Sequence, residues 1–391
     1  MQTDPSNLPP LPLPQGIRSR YVDGVNGLRM HVLEAGFETR GRPCVLLLHG
    51  FPELAYSWRK VMLPLAGAGY HVIAPDQRGY GRTTGWDAEY DGDLHAFHLL
   101  GIARDALALV NAFGYRSVAA VVGHDFGSPV SAYCALTRPD VFGSVVMMSA
   151  PIPPIPALPF GTADVPSGAE PVENVIATLE QLSPRPRKHY QWYYSGRSAN
   201  ADMMNAPQGL HAFMRAYYHH KSADWKDNKP YRLAGRTAAE LAKMPTYYIM
   251  DRDQDMAQTV APHMPSAAEI AACTWMTEAE MRVYSSEYAR TGFQGGLQWY
   301  RTRFVPEYNA GFQLFSGRTI DVPSAFIAGK SDWGVYQWPG DFEAMQTQLC
   351  TNMVGVHLLD GAGHWVQQEQ PQEVSRLLVE FLEEQSRGTS R

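Results

Sequence analysis

Short apolar runs alternate with stretches of helical periodicity between residue 17 and about residue 150. Four of the runs are almost continuously apolar, without polar alternation: residues 44–48, 71–74, 118–122 and 141–148. Such runs are typical of strands that are buried on both faces of a parallel sheet. Between two of them, residues 99–113 carry apolar side chains at helical spacing and end at Gly114, a common C-cap residue. The pattern therefore predicts an α/β fold with helices on both faces of the sheet.

Two further pairs of strands extend this sheet at the ends of the chain. Residues 17–21 and 29–34 are separated by the turn dipeptides Asp23-Gly24 and Asn26-Gly27, which predicts an antiparallel pair at the start. The buried-strand pattern resumes after Val322 with residues 324–328 and 354–359, and an amphipathic stretch at 371–384 closes the chain. We therefore expect a mostly parallel eight-stranded sheet.

The strand–helix pattern is interrupted at Pro151. The proline-rich run that starts there can be neither a helix nor an interior strand, so we interpret it as a linker. Residues 152–320 then contain mostly helix-like segments and four tryptophans, and 12 of the 20 tyrosines lie in them. We predict a proline-rich N-terminal arm at 1–16, an α/β core at 17–151 and 321–391, and a mainly helical cap at 152–320.

Composition and charge exclude several classes of partner. A net charge of −6 gives no reason to expect a nucleic acid. No apolar run approaches the ~18–20 residues that a membrane span needs, and the N-terminus lacks the pattern of a signal peptide. The four cysteines are scattered, which is typical of a reducing compartment, so we expect a cytoplasmic protein. A homo-oligomer is left open.

The same reading gives no reason to expect a metal or an organic cofactor. The pair His219-His220 lacks the HExxH spacing and a third ligand. No GxGxxG motif follows a strand, so a dinucleotide loop is not expected.

The sequence Gly123-His124-Asp125-Phe126-Gly127 directly follows a predicted strand. A strand that enters a helix through a turn with small residues on both sides of a central residue is a nucleophile elbow. The usual central residue is serine, and here it is Asp125. A carboxylate is ionised at neutral pH and needs no base to become a nucleophile. It forms a stable ester with a saturated carbon, which favours epoxides or alkyl halides over esters and amides as substrates.

Two companion motifs support this interpretation. His49-Gly50-Phe51-Pro52 follows the 44–48 strand, where α/β-hydrolases place one oxyanion-hole N–H; the residue after the nucleophile supplies the other. We therefore predict the amides of Phe51 and Phe126 as the oxyanion hole.

A candidate base and its partner follow the last predicted strands. His364, in Gly361-Ala-Gly-His364, comes after the last strand and is the candidate base for water. Asp332, after the 324–328 strand, is the best candidate to orient its ring, and Asp360 is a weaker one. The order Asp125, Asp332, His364 is that of nucleophile, acid and base in α/β-hydrolases.

Taken together, the segments HGFPELAYSW, APDQRGYGRT, GHDFGS and GAGHWVQQEQP resemble the soluble epoxide hydrolases of the α/β-hydrolase fold, from about residue 17 to 385. The resemblance implies two cap tyrosines that hold and protonate the epoxide oxygen. The stretch 291–301 is similar to one tyrosine motif and places that residue at Tyr300; residues 189–193 place the other at Tyr190, with Tyr193 and Tyr194 as alternatives. Phe126 stands where the family most often has tryptophan.

We therefore expect an enzyme that converts a small apolar epoxide and water into a vicinal diol through an ester of Asp125. Four further side chains are expected to bind substrate: Gln191, Trp192, Trp333 and Pro52. Phenol hydroxyls donate to a developing alkoxide, whereas a halide pocket would use indole N–H donors, and Phe126 has none. Two alternatives stay open at this stage, namely a haloalkane or haloacid dehalogenase and a non-catalytic small-molecule-binding protein. The stretch 244–272 is interpreted as a surface excursion.

Overall fold

The computed structural model of the protein describes residues 8–155 and 172–388. Part of the predicted arm (residues 1–7) and part of the proline-rich linker (156–159) lie outside the described residues. The strands are β1 (Ile17–Val25), β2 (Leu28–Ala35), β3 (Cys44–Leu48), β4 (His71–Pro75), β5 (Ala120–His124), β6 (Val145–Met148), β7 (Arg187–His189), β8 (Ile249–Asp251), β9 (Ser324–Gly329) and β10 (Met353–Leu359).

Eight of these strands form one sheet in the order β1-β2-β4-β3-β5-β6-β9-β10. The β1–β2 and β2–β4 pairs are antiparallel, and the remaining neighbours are parallel. The predicted eight-stranded, mostly parallel sheet is therefore confirmed. Strand β5 begins at Ala120 rather than Val118, because Val118 makes only an isolated bridge to Phe142.

Helices cover both faces of the sheet. The helices are α1 (Arg59–Gly67), α2 (Leu99–Ala112), α3 (Gly127–Thr137), α4 (Val172–Glu180), α5 (Tyr190–Ser195), α6 (Ala199–Met204), α7 (Leu210–Lys221), α8 (Ala238–Leu241), α9 (Met256–Val260), α10 (Ala267–Ala272), α11 (Glu278–Thr291), α12 (Gln294–Thr302), α13 (Pro306–Ala310), α14 (Asp341–Ala344), α15 (Val366–Glu369) and α16 (Pro371–Gly388). Short 3₁₀ turns lie at Ala55–Trp58, His95–Phe97, Ala261–His263, Gly311–Phe315 and Trp333–Tyr336, and a π turn lies at Met345–Leu349.

Successive residues of the central strands enter two separate apolar cores. Val121 of β5 belongs to the core that contains α2 and α3, whereas Val122 belongs to the core that contains α1 and α16. This alternation follows from the period of two along a strand, and it explains why the central strands are apolar on both faces.

The chain between β6 and β9 forms the cap over the C-terminal edge of the sheet. It is mainly helical, as expected, but β7 and β8 add a two-stranded antiparallel sheet that the sequence pattern did not predict. The interpretation of 244–272 as a surface excursion is wrong for the first part of this stretch, although residues 261–272 are mostly exposed. Tyr247, Tyr248 and α9 are buried, because β8 pairs with β7 and the Tyr248 carbonyl accepts a 2.8 Å hydrogen bond from the amide of Tyr190.

Polar contacts and one close backbone approach fix the cap on the core. Arg82 pairs with Glu287 at 2.7 Å, and both side chains are buried. Gly79 of the core and Gly295 of the cap touch so closely that a Cβ on Gly295 would lie 2.1 Å from the Gly79 carbonyl oxygen. The cap is therefore held against the loops that carry the site. Among the described residues, no helix has both the length and the apolar character that crossing a bilayer requires.

Candidate active site

Asp125 stands at the tip of the turn between β5 and α3. Its φ of +51° is in the left-handed region, where a non-glycine residue is strained. The flanking glycines are required by close packing: a Cβ on Gly123 would lie 1.8 Å from the carbonyl oxygen of Gly127, and one on Gly127 would lie 2.2 Å from that of Leu48. The turn therefore aims the Asp125 carboxylate into the space under the cap.

The loop after β3 holds one oxygen of that carboxylate. The backbone N–H of Phe51 donates a 2.8 Å hydrogen bond to Oδ1 of Asp125. Gly50 permits the approach, since a Cβ there would lie 2.4 Å from the Asp125 side chain. Phe126 directly follows Asp125 and caps α3, but among the described residues its amide makes no hydrogen bond to this carboxylate. One of the two predicted oxyanion-hole amides is thus in contact with Asp125.

The loops after β9 and β10 bring an imidazole and a second carboxylate to the elbow. Nε2 of His364 lies 3.1 Å from Oδ2 of Asp125, and its Nδ1 lies 3.1 and 3.2 Å from the two oxygens of Asp332. Asp332 also accepts a 2.7 Å hydrogen bond from the amide of Gly334. Asp360, the weaker candidate, is exposed and pairs with Lys330 at 2.8 Å. The arrangement gives His364 one acceptor on each ring nitrogen.

Burial and neighbouring charges set the protonation of these three groups. Burial would raise the pKa of Asp125, but His364, Lys221 and His124 hold it well below its ordinary value. Burial is opposed in the same way at Asp332, where His364 lowers the pKa. Burial and Lys221 lower the pKa of His364, and the two carboxylates outweigh them, so it lies above its ordinary value. The carboxyl group of Asp125 is therefore ionised at neutral pH, and the pKa of His364 is set by the two carboxylates that its ring contacts.

Tyr300 and Tyr190 face the nucleophile from the cap. The ring of Tyr300, on α12, packs edge-on against the rings of Phe51 and Phe126 at centroid distances of 5.4 and 4.9 Å. Tyr190 begins α5, and its ring lies 5.9 Å from that of Tyr300. Burial and then the Asp125 charge raise the pKa of Tyr190 to about 12, and burial raises that of Tyr300 well above its ordinary value. Both phenols are therefore protonated at neutral pH.

The two neighbouring tyrosines of α5 are less suited to donate to a substrate. The hydroxyl of Tyr193 donates a 2.9 Å hydrogen bond to Asp202, on the side of the helix that faces Lys188. Tyr194 is fully buried behind Phe51, with a ring-centroid distance of 5.1 Å. Of the three candidates on α5, the structure brings Tyr190 towards the charge of Asp125.

The four predicted substrate-binding side chains occupy different environments. Trp192 is 41% exposed and packs on Phe304, because the spacing of α5 turns it to the face opposite Tyr190, Tyr193 and Tyr194. The structure therefore does not bring Trp192 to Asp125. The amide of Gln191 donates to the hydroxyl of Tyr190 at 3.1 Å.

The other two candidates are buried, and they lie next to Asp332 and Phe51 in the sequence. Trp333 directly follows Asp332, and its indole nitrogen has no hydrogen-bond partner among the described residues. Pro52 directly follows Phe51, and its carbonyl accepts a 2.9 Å hydrogen bond from the hydroxyl of Tyr218.

A buried polar network beneath the elbow was missed from the sequence. Glu53 accepts a 2.5 Å hydrogen bond from Nδ1 of His124 and is also bound by Gln367 and Gln368. Nε2 of His124 lies 2.6 Å from the carbonyl oxygen of His364. Both nitrogens of His124 therefore face acceptors, and the ring links Glu53 to the loop that carries His364. The acidic residue that follows His-Gly-Phe-Pro was the available clue.

Three more cap residues near Asp125 were also missed. The charge of Asp125 contributes to raising the pKa of both Tyr217 and Tyr248, and Lys221 contributes to lowering the pKa of Asp125. No pattern in the sequence distinguishes these residues from the other tyrosines and lysines of the cap. Among the described residues, no group of three His, Cys, Asp or Glu side chains is arranged to hold a metal ion, and the four cysteines are free.

Comparison with known proteins agrees with this architecture. A family model described as alpha/beta hydrolase fold matches residues 43–371. Epoxide hydrolase A of Mycobacterium tuberculosis is 35% identical over 364 residues, which cover 93% of this chain and 96% of that protein.

Solved structures give the same result at the level of the whole fold. An epoxide hydrolase from an endophytic Streptomyces superposes with a TM-score of 0.73 at 29% identity, covering 95% of this chain and 96% of the other. Epoxide hydrolase A from Mycobacterium thermoresistibile gives a TM-score of 0.71 at 31% identity, covering 94% and 98%. The chain belongs to the epoxide hydrolase family of the α/β-hydrolase fold.

Proposed function

We propose that this enzyme hydrolyses an apolar epoxide to the vicinal diol, with Asp125 as the nucleophile. The observation that carries the proposal is that the two oxygens of the Asp125 carboxylate make different contacts. Oδ1 is held by the amide of Phe51, Oδ2 faces His364, and the Asp125 charge contributes to the raised pKa of both Tyr190 and Tyr300, which the cap supplies. This arrangement supplies a nucleophile, an oxyanion donor, a base and two acids within one enclosed site.

In the first step Oδ2 of Asp125 attacks an epoxide carbon. The carbon–oxygen bond of the ring breaks, and its electron pair moves onto the epoxide oxygen. Tyr300 and Tyr190 donate hydrogen bonds to this oxygen, and one of them transfers its proton, leaving a tyrosinate. Preorganised donors at a developing alkoxide are worth about 10²-fold or more in rate. The product is a hydroxyalkyl ester of Asp125.

In the second step water attacks the carbonyl carbon of that ester. His364 Nε2 removes a proton from the water, and Asp332 stabilises the imidazolium through Nδ1. The carbonyl oxygen is Oδ1, which already accepts the hydrogen bond from Phe51. The tetrahedral intermediate collapses, the imidazolium protonates the departing diol oxygen, and the proton left on the Asp125 carboxyl restores the tyrosine. The balance is one epoxide and one water to one diol.

Several features favour an epoxide over an alkyl halide. Phe126, beside the nucleophile, has no N–H in its side chain to bind a halide ion. The indole N–H of Trp299 is committed to the carbonyl of Arg78 at 2.9 Å, whereas that of Trp333 has no partner among the described residues, so the case for an epoxide rests on the tyrosines rather than on a lack of indole donors. The side chains around Asp125 are largely aromatic, so the site suits an apolar substrate rather than a charged haloacid.

A panel of epoxides and haloacids tests the proposal. The wild type is expected to convert apolar epoxides to diols and to release no halide from chloroacetate or fluoroacetate. Asp125→Asn should lose activity by on the order of 10³-fold or more. Asparagine tolerates the left-handed backbone of residue 125, so the elbow should keep its shape. Halide release without diol formation would support a dehalogenase, and tight binding without turnover would support a binding protein.

A further inference from the structure

Lys221 is a buried cation beside the catalytic histidine. It is the last residue of α7, and only 2% of its surface is exposed. Its backbone carbonyl accepts a 2.9 Å hydrogen bond from the amide of His364. The two residues are therefore fixed to each other through the main chain, although 143 positions separate them in sequence.

The ammonium group of Lys221 is enclosed by aromatic rings instead of carboxylates. Its Nζ lies 4.9 Å from the ring centroid of Tyr248, 5.4 Å from that of Tyr217, 5.5 Å from that of Trp365 and 5.9 Å from that of Tyr247. Among the described residues, no carboxylate oxygen comes within the 4.0 Å of an ion pair. A buried cation of this kind costs stability, and ring faces recover only part of that cost.

The charge of Lys221 acts on the catalytic groups from beyond contact distance. Burial lowers the pKa of Lys221, whereas Asp125, Asp332 and Glu53 oppose this effect and favour its protonated form. In return the ammonium favours the ionised forms of Asp125 and Asp332 and disfavours the imidazolium of His364. A cation at this position therefore favours ionised carboxylates at Asp125 and Asp332 together with a neutral imidazole at His364.

We propose that Lys221 is a positioning residue for ester hydrolysis, whose ammonium and backbone carbonyl hold His364 as the neutral imidazole that takes a proton from water. This inference rests on the proposed function. Its physical basis is the change in charge during the cycle. When Asp125 becomes an ester, its negative charge disappears, and Asp332 is the remaining carboxylate in contact with His364. Lys221 then offsets Asp332, which would otherwise keep the imidazole protonated.

Other titratable groups face His364 or Lys221 and contribute to the pH dependence of the reaction rate. Those on neighbouring elements are His124, Glu53, Glu369, His220, Tyr217, Tyr247 and Tyr248. Glu369 accepts hydrogen bonds from the amides of Gly363 and Trp365, on either side of His364, and burial raises its pKa to about 8. The titration of His364 must therefore be followed at its own ring and not only through the rate.

Lys221→Met removes the charge and keeps much of the volume. The titration midpoint of the His364 ring, followed by NMR of ¹⁵N-labelled histidine and assigned by its absence in His364→Gln, is expected to rise by about one unit or more. In single-turnover experiments the acid limb of ester hydrolysis should move to higher pH by a similar amount. Below the wild-type midpoint this shift slows hydrolysis by roughly tenfold. Thermal stability should not fall, since an unpaired buried charge is removed.

Lys188→Met is the matched control. Lys188 is also a cap lysine over a tyrosine ring, with its Nζ 4.9 Å from the centroid of Tyr193, but its charged neighbours are Asp255, Asp202, Asp253 and Glu180 rather than the catalytic groups. Its removal should leave the His364 midpoint unchanged. Lys221→Gln provides a second neutral variant if Lys221→Met does not fold.

An unchanged His364 midpoint in a folded neutral variant would overturn the proposal. An equal decrease in the rates of ester formation and ester hydrolysis, with no shift in either pH profile, would also overturn it. A general structural defect has that effect. If the wild type forms no ester with any epoxide, the proposed function fails. The NMR midpoint still measures the effect of the Lys221 charge on His364 in that case, so failure of the proposed function can be distinguished from failure of this inference.

Discussion

The amide N–H of Phe51 donates a 2.8 Å hydrogen bond to Oδ1 of Asp125, so the donor expected to bind the oxyanion already holds the nucleophile. The other oxygen, Oδ2, lies 3.1 Å from Nε2 of His364. The carboxylate is therefore oriented before substrate arrives, and its two oxygens have different environments. Oδ2 is the atom that should join the substrate, while Oδ1 should remain the carbonyl oxygen of the ester.

This assignment predicts the fate of an oxygen label. In a single turnover in H₂¹⁸O, water attacks the ester carbonyl, so one ¹⁸O is expected in the carboxylate of Asp125 and none in the diol. Mass spectrometry of the peptide that contains Asp125 and of the diol measures both. Label in the diol after the first turnover would mean that water attacks the epoxide directly, with Asp125 acting as a base.

His364→Gln should separate the two steps of the reaction. Ester formation does not need a base, whereas hydrolysis does, so the variant is expected to react with an epoxide and retain it. The intact mass should rise by one substrate mass, located on the peptide that contains Asp125. Hydrolysis should slow by about 10²–10⁴-fold, the usual contribution of general base catalysis. A folded variant that shows no adduct would contradict the covalent scheme.

The tyrosines of the cap should differ in their effect on ester formation. Tyr300→Phe and Tyr190→Phe each remove a donor to the developing alkoxide, so ester formation should slow by about 10²-fold, with hydrolysis affected less. Tyr193→Phe is the control, because its hydroxyl is bonded to Asp202. Stopped-flow fluorescence of the cap tryptophans can follow both steps. A slower ester formation in Tyr193→Phe than in Tyr190→Phe would reverse the assignment of the second donor.

The two steps should also respond differently to pH. The pKa of Asp125 lies below its ordinary value, and that of Tyr190 is raised to about 12. Neither group therefore titrates between about pH 5 and 10. We expect that neither makes the rate of ester formation depend on pH in that range. Hydrolysis needs neutral His364, so its rate should rise as pH increases through the pKa of that ring.

The structure also predicts whether the hydrolysis limb lies above or below the pKa of His364 in the free enzyme. The hydrogen bond to Asp125 helps to raise the pKa of His364, and this contribution disappears when Asp125 is esterified. The hydrolysis limb should therefore lie at lower pH than the NMR midpoint of His364 in the free enzyme. Rapid-quench experiments from pH 5 to 10 measure it. A limb at or above that midpoint would contradict the role assigned to the Asp125 charge.

The apolar pattern along the chain was sufficient for the fold, because burial of both faces of a parallel sheet leaves a direct record in the sequence. It predicted β3 with its observed bounds and an eight-stranded sheet. It failed at β8, since a three-residue strand is too short to show a period. The stretch around Tyr247 and Tyr248 was therefore interpreted as surface, although both tyrosines are buried within the cap.

The sequence by itself was also sufficient to predict Asp125 as the nucleophile. An aspartate between two glycines at the end of a buried strand is a local feature, although the close contacts that require Gly127 come from the backbone of Leu48 and His49 in another part of the sequence. Only the tertiary structure decided which side chains point towards the site and which residues meet there. It turned Trp192 outwards, placed Tyr190 rather than Tyr193 towards Asp125, and brought Lys221 to His364. These relationships join residues from separate loops and helices, and one-dimensional spacing does not encode the angles at which those elements pack.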